Sequence, residues 1–138
     1  MSHRYRTILH RWFDEVWNQR LESSIEEMVC DDSVCYADGS AMVGPREFRE
    51  RQFAPFIAAF PDLKVEVLSI LTDNDEAAVH WKATGTHTGE GLGFPPAGRS
   101  ADFSGVSWIQ FRDGKFSLGW QYTNIGDVIR ALATPVPA

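Results

Sequence analysis

His87 stands inside the run Thr84-Gly85-Thr86-His87-Thr88-Gly89, where an apolar strand pattern gives way to a loop rich in Gly and Pro. An imidazole at a strand end can face a pocket and exchange a proton near neutral pH, which is the work of a general acid or base. Such a ring acts best beside a carboxylate that orients it, and three aspartates are worth weighing. Asp102 shares one pleat face with Ser104, Val106 and Trp108; the other face carries Phe103, Gly105, Ser107, Ile109 and Phe111, and either can be the concave one. Asp127 falls in the first turn of a final helix, where the helix dipole favours an acid. Asp38 precedes Gly39 and reads as a turn residue. The remaining histidines (His3, His10, His80) show no metal-ligand spacing, and Cys30 and Cys35 match no zinc or redox motif. No phosphate-binding loop is present, so neither a metal nor an organic cofactor is expected.

The elements that must position these residues follow from periodicity. Ile8, Leu9, Trp12, Phe13, Val16 and Trp17 form a wide apolar stripe that predicts a helix over 4–19, with His10 solvated at its edge. Ser23 with Glu26, or Ser24 with Glu27, has capping-box spacing and predicts a short helix near 23–29. A short strand is expected at 33–37. Gly44-Pro45 opens a third helix in which Phe48, Gln52, Phe56 and Phe60 run down one column, joined by Phe53 and Ile57. Pro55 inside it should kink or split the helix. After Phe60-Pro61-Asp62 the period falls to two, with Leu63, Val65 and Val67 alternating against Lys64 and Glu66. Residues 72–75 are a turn, 76–87 a long strand, 88–99 a loop, and 101–112 a further strand. Asp113-Gly114 is a hairpin turn returning into a strand at 115–123. Val128, Ile129 and Leu132 suggest a last helical turn before a Pro-rich tail.

The whole of 1–138 reads as one domain. At 43% hydrophobic and 12% aromatic residues it has enough apolar surface for an ordinary core. A net charge of −6 and the lack of a Lys/Arg run exclude a nucleic-acid surface. No stretch has the length of a membrane helix, and the first residues lead into an amphipathic helix, so a cytoplasmic location is expected. Helices first and long strands afterwards specify an α+β domain: a strongly curved antiparallel sheet packed on three N-terminal helices. The cone between them suits a small hydrophobic or aromatic ligand. Tyr36, Trp108 and Trp120, together with Phe56 and Phe60, are candidate walls for it; each reads more simply as an ordinary core side chain.

This order of elements, with Trp12 to Asn18, Gly44-Pro45-Arg46-Glu47-Phe48, Ala59-Phe60-Pro61-Asp62-Leu63, the His87 run, Pro95-Pro96-Ala97-Gly98-Arg99, Arg112-Asp113-Gly114-Lys115 and Trp120, resembles the SnoaL-like polyketide cyclases. That family shares the cone-shaped fold of nuclear transport factor 2 and ketosteroid isomerase. The resemblance implies cofactor-independent acid/base chemistry on an enolisable polycyclic molecule: an acidic C–H is removed, the enolate is stabilised, and an intramolecular aldol closes a ring. Hydroxylation and isomerisation occur in relatives of the fold. It also implies a homodimer or tetramer joined through the sheet face. His87 is the matching histidine, and Asn124 stands four residues after Trp120, where the family has an aspartate. An amide cannot take a proton, although it can hold an oxyanion. The expected catalytic set is therefore His87, Asn124 and Asp102, with Asn124→Asp raising cyclase-type activity and His87→Ala abolishing it. A second reading is a non-catalytic binding protein that has lost the family's base, and a third is an interaction module that dimerises through its open sheet face.

Overall fold

The computed structural model describes residues 2–134, with side chains from residue 4 onward; the Pro-rich tail at 135–138 lies outside the described residues. Helix α1 (Ser2–Arg11) continues into a π-helical stretch at Trp12–Asn18. The sequence pattern explains the change of pitch. Apolar columns that advance four residues at a time overshoot an α turn of about 3.6 residues and fall short of a π turn. Joining the two kinds of turn keeps Leu9, Trp12, Phe13, Val16 and Trp17 on one buried side.

Helix α2 (Glu22–Met28) follows, but no side-chain cap holds its start. Instead of capping, the Ser24 hydroxyl donates to Glu15 Oε1 at 2.7 Å and ties α2 to the π stretch. The third helical segment is split as Pro55 demands: α3 (Gly44–Phe48), a second π stretch (Arg49–Phe53), and α4 (Ala54–Ala59). Proline has no N–H for the carbonyl a turn earlier, and the wider turn sits where that bond is missing.

Six strands form one sheet: β1 (Val29–Ala37), β2 (Ser40–Val43), β3 (Lys64–Asp73), β4 (Glu76–Thr86), β5 (Ser100–Arg112) and β6 (Lys115–Thr123), in the order β2-β1-β6-β5-β4-β3. Two points differ from the sequence reading. The first strand is longer than 33–37 and folds back on β2 as a hairpin, and it pairs with β6 in parallel, so the sheet is antiparallel everywhere except at that seam. Helix α5 (Ile125–Ala133) closes the described chain and buries Leu132.

One sheet face carries the core. On β5 the buried residues are Ala101, Phe103, Ser107, Ile109 and Phe111, which alternate with exposed Asp102, Val106 and Trp108. That settles which face is concave: the side of Asp102 looks away from the helices. Phe103 packs edge-on to Trp81, and Trp12 packs edge-on to Phe116, so rings from the π stretch and from the sheet meet in the middle.

Candidate ligand cavity

Two small cavities lie between the π stretches and the inner sheet face. The first, about 50 Å³, is walled by Trp12, Phe13, Trp17, Phe56, Trp81 and Phe103, with Asp38, Gln52, Ser107, Gln121 and Thr123 as its polar members. The second, about 60 Å³, lies beside it against Cys35, Phe48, Ile109 and Phe116. Trp12, Ser107 and Gln121 line both and form the partition between them. Both π-helical stretches contribute walls, and such turns recur at functional sites.

The polar members are held by one another. Trp81 Nε1 donates to Ser107 Oγ at 3.0 Å, in a fully buried bond. Gln52 Nε2 donates to Gln121 Oε1 at 3.1 Å, and Gln121 Nε2 approaches Cys35 Sγ at 3.8 Å. Burial pushes the Cys35 thiol up to about 11, against the opposing effect of the Gln121 hydrogen bond, so it stays protonated at neutral pH. Asp38 sits in the left-handed backbone region (φ 48°), which aspartate tolerates better than most residues. Its carboxylate accepts the Thr123 N–H at 2.9 Å and the Thr123 hydroxyl at 2.8 Å. It is the only titratable side chain among the described residues lining the first cavity. Asp38, Gln52 and Phe56 also border a shallow surface depression with Ser40 and Arg51, so this end adjoins solvent.

The structure does not bring His87, Asn124 and Asp102 together on this cavity. His87 is fully buried, wedged between Phe60 and Phe94 at ring-centroid distances of 5.7 and 5.2 Å. Its Nδ1 accepts the Ala97 N–H at 3.0 Å, which leaves the proton on Nε2, and Nε2 has no partner among the described residues. It lines neither cavity. Two of the glycines in the loop after it answer a packing demand: a Cβ on Gly89 would stand 1.8 Å from the Ala58 carbonyl oxygen, and one on Gly91 would stand 2.3 Å from that of Pro55. Gly89 N–H donates to the Ala59 carbonyl at 3.1 Å, sealing the loop onto α4.

Asn124 is exposed and precedes α5, where its Oδ1 accepts the Ser104 N–H at 3.0 Å. Asp102 is exposed on the opposite face. Asp127 pairs with Arg130 in the first turn of α5, as its position suggested. Of the candidate walls, Phe56 lines the first cavity; Trp120 borders the second, but paired with Trp108 and stacked on Tyr36 it carries its ring on the outer face; Phe60 is core beneath the His87 loop. Tyr36 is 40% exposed and Trp108 46%, so both look outward, Tyr36 stacking on Trp120 and Trp108 donating to Glu76.

Asp38, Gln52 and Gln121 are the site residues that the sequence reading left unassigned. Gln52 did carry a signal, a lone amide in a column of phenylalanines. Asp38 carried none locally, because its partner Thr123 is 85 residues away.

The comparisons agree with this architecture. The family model for the SnoaL-like polyketide cyclase matches residues 7–132. Among solved structures, AclR, a candidate hydroxylase from Streptomyces galilaeus, is 28% identical, over 99% of this chain and 90% of that one, with a TM-score of 0.82. A candidate SnoaL-like polyketide cyclase from Jannaschia sp. CCS1 is 23% identical over 97% and 94%, with a TM-score of 0.88. IdmH from Streptomyces antibioticus, a candidate polyketide cyclase, is 21% identical over 92% and 96%, at 0.78. No curated protein matches the chain in sequence. No helix of the described residues is long and apolar enough to cross a membrane. With residues 7–132 matched by the family model, the chain belongs to the SnoaL-like polyketide cyclase family.

Proposed function

We propose that this chain is an enzyme that enolises a hydrophobic ring compound in the cavity beneath the sheet, with Asp38 as its base. The observation that carries the reading is the placement of one carboxylate, clamped by Thr123, at the solvent-facing end of an aromatic-walled cavity. The Asp38 carboxylate takes the proton from an acidic C–H beside a carbonyl, and the electron pair moves into the enolate. In a cyclase-type reaction the enolate carbon then bonds to a second carbonyl carbon of the same molecule. The resulting alkoxide recovers the proton from the Asp38 carboxylic acid, so the base is regenerated and no electrons are exchanged outside the substrate. The Ser107 hydroxyl and the Gln121 amide N–H group line the same cavity and are assigned to hold the oxygen on which charge develops, an interaction whose removal costs roughly 3–4 kcal/mol in other enzymes. His87 has a structural part in this reading, holding the 88–98 loop shut.

The non-catalytic alternative draws support from the same lining, which offers a base but no second titratable group. One experiment separates the two. 2-Tetralone, an enolisable bicyclic ketone, is incubated in D2O with the protein, and loss of its C1 proton signal is followed by NMR. Accelerated exchange that Asp38→Asn removes supports the enzyme; binding without accelerated exchange leaves the binder.

The outer face carries exposed Tyr36, Val106, Trp108 and Tyr122 side by side on paired strands β1, β6 and β5. A contiguous aromatic patch of this kind marks an interface, and a second copy of the chain is the proposed occupant.

A further inference from the structure

We infer that the Gln52 amide is the recognition group for a hydrogen-bond donor, such as a phenol or enol hydroxyl, on an otherwise apolar ring-shaped ligand, and that Gln121 aims it; the inference rests on the ligand-cavity reading above. Gln52 is out of place in its column. Phe48, Phe56 and Phe60 stand at four-residue steps on either side of it and pack rings into the interior, while position 52 sends in an amide.

Gln52 Nε2 donates to Gln121, and among the described residues nothing donates to the buried Gln52 Oε1. An acceptor buried without a partner is costly, and nearly all such groups in folded proteins find one. Here the orphan belongs to a residue on the wall of an aromatic cavity. A ligand whose hydroxyl donates to it removes that cost; a ligand of the same shape without a donor does not. The discrimination is of the kind a hydrogen-bonding site achieves and a purely apolar pocket cannot.

Gln121 gives the amide its direction. It is held on one side by Gln52 and on the other by the Cys35 sulfur, and it forms part of the partition between the two cavities. Neither cavity alone suits a bicyclic ring, so the ring widens the first cavity from its Asp38 end, where it adjoins solvent, and the Gln121–Gln52 bond is kept. A ring system entering from that end lies against Gln121 with its hydroxyl on Gln52.

The test uses three probes that share one ring system: 1-naphthol, 1-methoxynaphthalene and naphthalene, titrated into the protein and followed by 1H–15N chemical shifts. 1-Naphthol is expected to bind about tenfold more tightly than the other two, the worth of one hydrogen bond to a buried acceptor. Gln52→Met should erase that preference, so that 1-naphthol and naphthalene bind the variant alike. Should the variant fold poorly, the Gln52 side-chain amide signals of the parent provide the second readout, moving with 1-naphthol and not with naphthalene. Equal affinities of the parent for all three probes, or a naphthol preference that persists in Gln52→Met, overturn the inference while the cavity reading stands. Failure of all three to bind overturns both.

Discussion

The same small device occurs twice at one end of the sheet, with different consequences. Where β4 ends, the Asp62 carboxylate accepts the Thr86 N–H at 2.7 Å and its hydroxyl at 2.9 Å. Where β6 ends, Asp38 accepts the Thr123 N–H and hydroxyl in the same manner, at 2.9 and 2.8 Å. Beyond Thr86 the chain turns into His87 and a loop that lies directly on α4, so that His87 and Phe60 behind the clamp are fully buried. Beside Thr123 the chain meets the π stretches, whose wider turns leave space lined by Gln52, Gln121 and aromatic rings. Local hydrogen bonding is alike in the two places. What separates a structural clamp from a candidate catalytic carboxylate is the volume left next to it, and that is decided by distant parts of the chain.

The largest expected effect tests the open end. Asp38→Asn keeps an acceptor for Thr123 but cannot take a proton, so enolisation of 2-tetralone should fall by roughly 10²–10⁴-fold, or about 3–5 kcal/mol of barrier. The melting temperature should move little, because the position is exposed. Unchanged exchange in this variant would remove Asp38 from the mechanism and erase the functional half of the comparison.

The closed end should answer in stability instead. His87→Ala deletes a buried ring and strips the Ala97 N–H of its acceptor, for an expected loss of about 2–4 kcal/mol. Gly89→Ala forces a methyl against the Ala58 carbonyl, for a loss of about 1–3 kcal/mol or more. Both are read by urea unfolding, with exchange activity per folded molecule preserved. Lost activity in a His87→Ala protein that unfolds at the parent's urea midpoint would reverse the assignment and return His87 to a catalytic part. A third region, the outer face, should respond in neither way. Trp108→Glu places a charge in the exposed aromatic patch and is expected to shift the sedimentation profile toward monomer, and a parent that is already monomeric would dispose of the proposed second copy.

How far the sequence reveals this is uneven, and the two clamps show why. The strand alternation, the Asp113-Gly114 hairpin and the split at Pro55 are local consequences of side-chain period and backbone chemistry, and all appear in the structure. The Phe60-Pro61-Asp62 and Thr86-His87 runs are also legible, but as one packing module: Asp62 grips Thr86, and Phe60 covers His87. Nothing local says that the His87 ring is sealed, since Phe94 and Ala97 close over it from the far side of the loop. Asp38 looks like a turn residue and is one; its place in the cavity depends on a parallel pairing of β1 with β6 that hairpin reasoning does not anticipate.

The smallest effect would sharpen the comparison at its base, by asking what the sealed clamp contributes as a charge. Hydrogen bonds first from the Thr86 backbone N–H and then from its hydroxyl hold the Asp62 carboxyl below the usual carboxylate range. A folded value below the unfolded one, about 3.9, means that the clamp's contribution is present above that pH and is lost as pH falls through the folded value. Asp62 is exposed, so the contribution should stay below about 1 kcal/mol. The gap in unfolding free energy between the parent and Asp62→Asn is accordingly expected to be widest at neutral pH and to narrow below about pH 4. A gap that holds constant from neutral to acid pH would mean that an uncharged amide at position 62 differs from the acid in shape and not in charge, and the two clamps would then owe their likeness to turn geometry alone.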